Sequence, residues 1–329
     1  MFDFKSQRVS YFVDDNGFAV GQIEIPGGAP IVVKIVKDSI TEGGSRLVTW
    51  CWEYPRMIHA EIMTHRVLSR NSASSRAIPA SKLRQRVIDA PAMPVYWGQN
   101  QKGMQSGDEI VDLEAARSWW LRGSAWMLKH NLEGEALGLH KQIINRDIEP
   151  WMVIAVVVST TDHANLFHQR KHHAAEPHFQ CIANLAWELF HNHMPTYVEP
   201  GGWHLPYTDG DPMFDILDIT KKISTARCAR VSYLTHEGKR DPVEDIRLHD
   251  DLASTLNADE PGHFSPFEHP AMAIGKRERH ANFEGWKSYR QFFPKQAGPD
   301  TSDRCDTCGC WAGNHVLGCG MTNRVGGLA

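Results

Sequence analysis

The chain has 329 residues, with 35 basic against 39 acidic side chains and a net charge of −4 when histidine is neutral. Hydrophobic residues make up 42% and charged residues 22%, the balance of an ordinary globular protein, so the chain needs no disulfide staples to fold. That near-neutral charge argues against a nucleic-acid-coating role, which needs clustered positive charge, and leaves room for a small anion held by a few arginines.

No run approaches the roughly 20 apolar residues that span a bilayer, so no membrane partner is expected. The opening MFDFKSQRVS has no apolar signal-peptide core, and the seven cysteines form no disulfide framework. Both features predict a cytoplasmic, reduced protein. Residues 12–20 and 31–36 read as strands, with turn signals at Asp14-Asp15-Asn16-Gly17 and Pro26-Gly27-Gly28, and residues 45–49 continue the pattern. From Pro55 the apolar period changes: Met57, Ile58, Ile62, Met63 and Val67 predict a helix over 55–68, followed by a polar loop at 71–75. Residues 91–107 read as a surface excursion rich in Pro, Gly and Gln, and 110–140 as a long helix carrying Trp119, Trp120 and Trp126. Residues 152–158 suit either a strand or a buried helical turn. Helices follow at 178–193 and 241–257, an irregular segment at 195–212, a mixed stretch at 221–233, a loop at 261–269 and a short helix at 283–293. Mixing strands with helices in this way predicts an α+β fold.

Chemistry concentrates in residues 64–79. A helix delivers His65 and Arg66 to its end, and a loop then supplies Ser69, Asn71, Ser72, Ser74 and Ser75, followed by Arg76. Short hydroxyls, free backbone N–H groups and flanking guanidiniums are what a phosphate ester needs. The same residues also suit a polar helix cap with solvated arginines.

This segment resembles the signature of the flavin-dependent thymidylate synthases, Arg-His-Arg-x-x-Ser-x-Asn-x-x-Ser-x-Arg. It matches at His65, Arg66, Ser69, Asn71, Ser74 and Arg76 and departs at Thr64, where the family has arginine. Residues 165–177 are similar to a second family block, with Asn165 and Arg170 on its asparagine and arginine and Glu176 where the family has glutamine. His168 and His172 in that stretch are four residues apart but lack a third metal ligand. Residues 226–233 resemble a third block, and His263-Phe-Ser265-Pro-Phe-Glu268-His269 a fourth. In the standard enzymes the last two blocks come first, so this order resembles a circular permutation, which is cheap when termini lie close together. A weaker likeness at 138–150 points to Arg146, with Asn145 as the alternative, and Glu61 stands where the family has a glutamine near the pyrimidine.

The resemblance implies a catalytic domain over 1–295 that uses FAD, with NADPH and methylenetetrahydrofolate as co-substrates, to convert dUMP to dTMP. It implies that His65, Arg66, Ser69, Asn71, Asn165, His263 and Ser265 contact flavin. Ser74, Arg76 and Arg146 would hold the nucleotide, and Arg170 would polarise the pyrimidine, a cation lowering the pKa of the ionising ring nitrogen. Glu268 and His269 would be structural neighbours. The family is a homotetramer with sites built across subunits, and the tryptophan-rich helix suits an interface. Glu61 and Glu176, both carboxylates, raise an alternative: an acceptor facing the base suits the amino group of cytosine, giving dCMP as substrate. A hydroxymethylase on the same scaffold and an inactive nucleotide-binding homologue are the other readings. Residues 296–329 form a separate tail in which Cys305, Cys308, Cys310 and Cys319 have zinc-knuckle character, a structural zinc standing against a reduced, metal-free tail.

Overall fold

A computed structural model describes residues 2–209, 216–233, 241–254 and 263–293. The cysteine-rich tail, and with it the expected zinc ligands Cys305, Cys308, Cys310 and Cys319, lies outside the described residues.

The fold is α+β, built on one seven-stranded sheet: β1 (Arg8–Val13), β2 (Ala19–Glu24), β3 (Ile31–Thr41), β4 (Arg46–Pro55), β5 (Ser69–Ser72), β6 (Val153–Thr160) and β7 (Thr196–Val198). The order β1-β2-β3-β4-β6-β5 is antiparallel throughout, and β7 joins β3 in parallel. The strand expected at 12–20 is in fact the end of β1, a turn, and the start of β2. Asp14 Oδ1 accepts from the N–H groups of Asn16 and Phe18, and Gly17 takes a φ of +82°, where a side chain is strained.

β3, β4 and β6 read as almost unbroken apolar runs because both of their faces are covered. On one face Trp50, Trp52, Val156 and Val158 meet the apolar side of a long helix, Phe179, Ile182 and Leu185, in the main core. On the other, Cys51, Ala155 and Val157 meet Cys228 and Val231. The ambiguous run at 152–158 is therefore a central strand, its β-branched residues paired with β4 along its whole length.

The helices are α1 (His59–Met63), α2 (Ala80–Asp89), α3 (Leu113–Ala136), α4 (Lys141–Ile144), α5 (His163–Arg170), α6 (Pro177–Asn192), α7 (Leu217–Ala229) and α8 (Pro242–Ser254). The helix expected over 55–68 is a 3₁₀ turn at Arg56–Ile58 running into the five residues of α1. It stops there because Arg70 reaches back and donates to the carbonyls of Ile62, Met63 and His65 at 3.2–3.3 Å, capping it from outside. The polar loop expected at 71–75 begins as strand β5, a pairing with β6 that no local pattern announces. α2 has no counterpart in the sequence reading. The helix expected at 283–293 is instead extended. A small sheet joins β8 (Trp203–His204), β9 (Ala271–Ala273) and β12 (Trp286–Ser288), β10 (Arg279–His280) pairs with β11 (Phe283–Glu284), and only Tyr289–Phe292 turns as 3₁₀. Gly285, at φ +76°, breaks the run between β11 and β12.

A chain of buried hydroxyls and imidazoles fastens this small sheet to the large one. Thr49 Oγ1 meets Ser159 Oγ at 2.6 Å and His204 Nε2 at 2.8 Å, Ser159 meets His269 Nδ1 at 2.9 Å, and His204 Nδ1 meets Ser39 at 2.9 Å. His269 is fully buried in this chain of contacts. α7 and the 3₁₀ turn after it are tied to α8 by Arg227 and Arg230, which clasp the buried Asp245 carboxylate at 2.9 and 2.7 Å. Among the described residues no helix is long and apolar enough to cross a membrane.

Candidate active site

β5 is the last strand of the sheet, and a cleft of about 660 Å³ opens beside it. Its floor is Asn71 to Ala77, which leads off β5. Asn71 is buried and donates its side-chain amide to Cys228 O at 2.9 Å, and the Ser74 N–H donates to Ser232 O at 3.2 Å. These two bonds hold the floor against the end of α7, so Ser232 and Tyr233 form a wall. Across the cleft stand His263 and, from the 3₁₀ turn at Ser265–Glu268, Ser265 and Glu268, with Asn282, whose amide donates to Ser69 Oγ at 3.1 Å. Glu268 accepts from Arg290 at 2.6 Å.

The mouth is electropositive: Arg56, Arg70, Arg76 and Arg146 all line it. Arg56 is paired with Glu149 at 2.9 Å, and Arg70 is spent on the end of α1. Arg76 and Arg146 are exposed. Burial, and then the Arg76 guanidinium, hold His263 below its ordinary pKa, so a neutral imidazole and a cation share one corner. Of the two candidates in α4 and its cap, Arg146 faces the cleft. Asn145 is fully buried and donates to Ser75 O at 2.7 Å and Ile78 O at 3.1 Å, fastening the floor from beneath.

The expected site residues therefore divide. Asn71, Ser74, Arg76, Arg146, His263 and Ser265 converge on the cleft from three distant stretches of chain. His65 and Ser69 lie buried next to it, His65 with an unpartnered Nε2 and a pKa lowered by burial and by Arg170. Glu61, Arg66 and Asn165 are exposed and do not line it. Arg170 also lies outside the cleft: it donates to Thr64 Oγ1 at 2.9 Å, and its guanidinium sits 4.7 Å over the Phe179 ring. Glu176 caps α6. One carboxylate oxygen accepts from the Phe179 N–H at 2.9 Å and the other meets His178 Nδ1 at 2.5 Å. Burial alone would raise its pKa, but the His178 contact and the backbone donors hold it low. The flavin contacts implied by the resemblance are not assembled within one chain, since only Asn71, His263 and Ser265 of that set face the cleft.

Sequence reading passed over Arg56, His59, Arg70, Ser232, Tyr233 and Asn282, all of which line the cleft. Arg70 alone had a signal, an arginine inside the 64–76 segment; the others stand outside any motif or at an unassigned place within one. Among the described residues no cluster of His, Cys, Asp or Glu is arranged to hold a metal ion, and His168 and His172 gain no third ligand.

No protein-family model matches the chain. No curated protein matches it. Among solved structures it is similar to PolB, a UMP/dUMP methylase from Streptomyces cacaoi bound with 5-Br dUMP, at 17% identity and a TM-score of 0.35. That likeness covers 45% of this chain and 64% of the other, so this chain spans less than two thirds of that relative's length.

Proposed function

We propose that the cleft binds a deoxypyrimidine monophosphate, and that the chain is a pyrimidine C5 one-carbon transferase of the flavin-dependent thymidylate synthase type, taking dUMP to dTMP with methylenetetrahydrofolate as donor. The observation that carries this reading is the convergence of Asn71, Ser74, Arg76, Arg146, His263 and Ser265 on one electropositive cleft. A phosphate monoester asks for short hydroxyls beside guanidiniums not paired with a carboxylate, which Ser74, Arg76 and Arg146 offer together, Arg146 giving only its Nε–H, to Gln142 O. His263 and Ser265 stand opposite, where the nucleoside end would lie.

FAD, reduced by NADPH, would supply the hydride when bound, with Asn71, His263 and Ser265 on this chain's side of it. Arg170 lies outside the cleft of its own chain, so its action on a pyrimidine requires the cleft of a neighbouring subunit. A homotetramer with shared sites is therefore part of the proposal.

Glu176 is spent on its helix cap and on His178. Its carboxylate is thus already engaged, which supports dUMP over dCMP in this reading. Incubating the protein with dUMP or dCMP, the folate donor and NADPH, then weighing the nucleotide, tests the reading. A methylated dUMP is the expected product. A hydroxymethyl product points to the sibling chemistry, and a colourless protein that leaves both nucleotides unchanged overturns the enzyme reading.

A further inference from the structure

The cleft wall carries an imidazole that belongs to none of the resembling motifs. His59 opens α1 and lines the cleft beside Arg56 and Arg70. Its Nδ1 lies 2.8 Å from the Tyr54 hydroxyl, with the two rings stacked at an interplanar angle of 24°. Tyr54 is completely buried, and burial raises its pKa, so the phenol keeps its proton. Its oxygen makes this single hydrogen bond among the described residues, so the phenol donates and Nδ1 accepts.

Burial, then Arg56 and Arg70, push His59 down to about 4, which leaves the ring uncharged near neutral pH. An uncharged imidazole whose Nδ1 accepts carries its proton on Nε2. No described residue takes that Nε2–H in a hydrogen bond. On the same wall Arg56 is engaged by Glu149, and Arg70 by three carbonyls. His59 thus brings an unspent neutral donor to the cleft, aligned by a buried phenol.

We propose that His59 is a ligand-binding residue whose Nε2–H donates to an acceptor oxygen of the nucleotide in the cleft, and that Tyr54 is the positioning residue that fixes its tautomer. The proposal rests on the nucleotide reading above. The acceptor is a phosphoryl oxygen or a pyrimidine carbonyl, two sources of one chemistry.

The tautomer is read without ligand, by long-range ¹⁵N–¹H correlation of the full-length protein labelled at histidine, with His59 assigned by its loss in His59→Gln. The expected result is a proton on Nε2 in the wild type and a mixed tautomer in Tyr54→Phe. Calorimetry with dUMP then reads the contact. His59→Ala should bind about tenfold or more weakly, and His59→Gln, which returns an amide N–H near the same place, should stay within about threefold of wild type. Deoxyuridine separates the sources: an equal loss with it assigns the base carbonyl, and a loss seen only with dUMP assigns the phosphate. A folded His59→Ala that binds dUMP like the wild type, or a wild-type proton on Nδ1, overturns the proposal. A wild type that binds no nucleotide while His59 still holds its proton on Nε2 overturns the nucleotide reading, and this ligand with it. If His59→Ala fails to fold, His59→Phe takes its place, a ring of similar size with no donor: about tenfold weaker dUMP binding is expected, and wild-type affinity overturns the proposal.

Discussion

The Arg170 guanidinium donates to the Thr64 hydroxyl at 2.9 Å, and Thr64 is the position at which the 64–76 segment departs from the signature it resembles. The two features are one arrangement. An arginine at 64 would set two guanidiniums in contact, whereas threonine accepts the one already there. Thr64→Arg should therefore lower stability by about 1 kcal/mol at low salt and by less at high salt. Thr64→Ser should leave it unchanged. Thermal unfolding at two ionic strengths checks both.

Asn145 and Arg146 are neighbours with opposite duties, and substitution should separate them. Asn145→Ala leaves the buried carbonyls of Ser75 and Ile78 without their donor, at a cost of about 2 kcal/mol in denaturant unfolding. Arg146→Ala removes an exposed side chain and should leave stability within about 0.5 kcal/mol while weakening dUMP binding about tenfold. Arg76→Ala should behave like Arg146→Ala, and raised salt should shrink both losses.

The clasp on Asp245 predicts a large effect away from the cleft floor. Asp245 is completely buried and Arg227 nearly so, which makes removal of the carboxylate more costly than loss of any surface pair. Asp245→Ala should destabilise by about 3 kcal/mol or more in chemical unfolding. Because α7 leads into Ser232, dUMP affinity should fall as well, in contrast to loss of the exposed Lys222–Asp250 pair.

Buried histidines set the acid limit, among them His204, which burial holds well below its ordinary value. Burial pushes His269 down to about 3, and His59 and His163 to about 4, against an ordinary 6.5. Once unfolded, each imidazole binds a proton near 6.5; folded, each resists until pH 3 to 4. Between these values the unfolded chain holds more protons, so stability falls as pH drops from about 6.5 toward 4, by about 1.4 kcal/mol per pH unit for each such group. Asp38, whose burial is outweighed by His193 and Arg46, and Glu176 lose their stabilisation at lower pH still, in the carboxylate range. Calorimetric melting between pH 7 and 4.5 should show the slope, and His163→Phe, among the rings of Trp50, Phe167 and Phe190, should flatten it by one proton.

Much of the architecture can be read from residue patterns, and what cannot has a physical reason. α3 and α6 announce themselves through length and caps: Asp112 accepts from the Ala115 N–H, and Pro177 follows the Glu176 cap. β5 does not, because Ser69-Arg-Asn-Ser has no strand propensity and is extended only through its partner β6. α1 ends early through Arg70, a tertiary cap invisible to periodicity. In the cleft, Ser74, Arg76, His263 and Ser265 are legible because they sit in dense motifs. His59, Tyr233 and Asn282 are not, because single residues acquire meaning only from what the fold sets beside them. Glu176 shows the converse, a motif position whose carboxylate is claimed by local helix chemistry.

The position of β5 at the rim of the large sheet has one more consequence. An outermost strand keeps one row of peptide groups that no further strand satisfies, and proteins commonly shield such a row to avoid unwanted pairing. Among the described residues the Ser265–Glu268 and Arg230–Tyr233 turns pack against this strand, and the cleft opens at its Ser72–Ala77 exit. A guest molecule in that opening would do the work of a missing strand, so occupancy should slow amide exchange along Ser69–Ser72 while leaving the sandwiched middle of the sheet untouched.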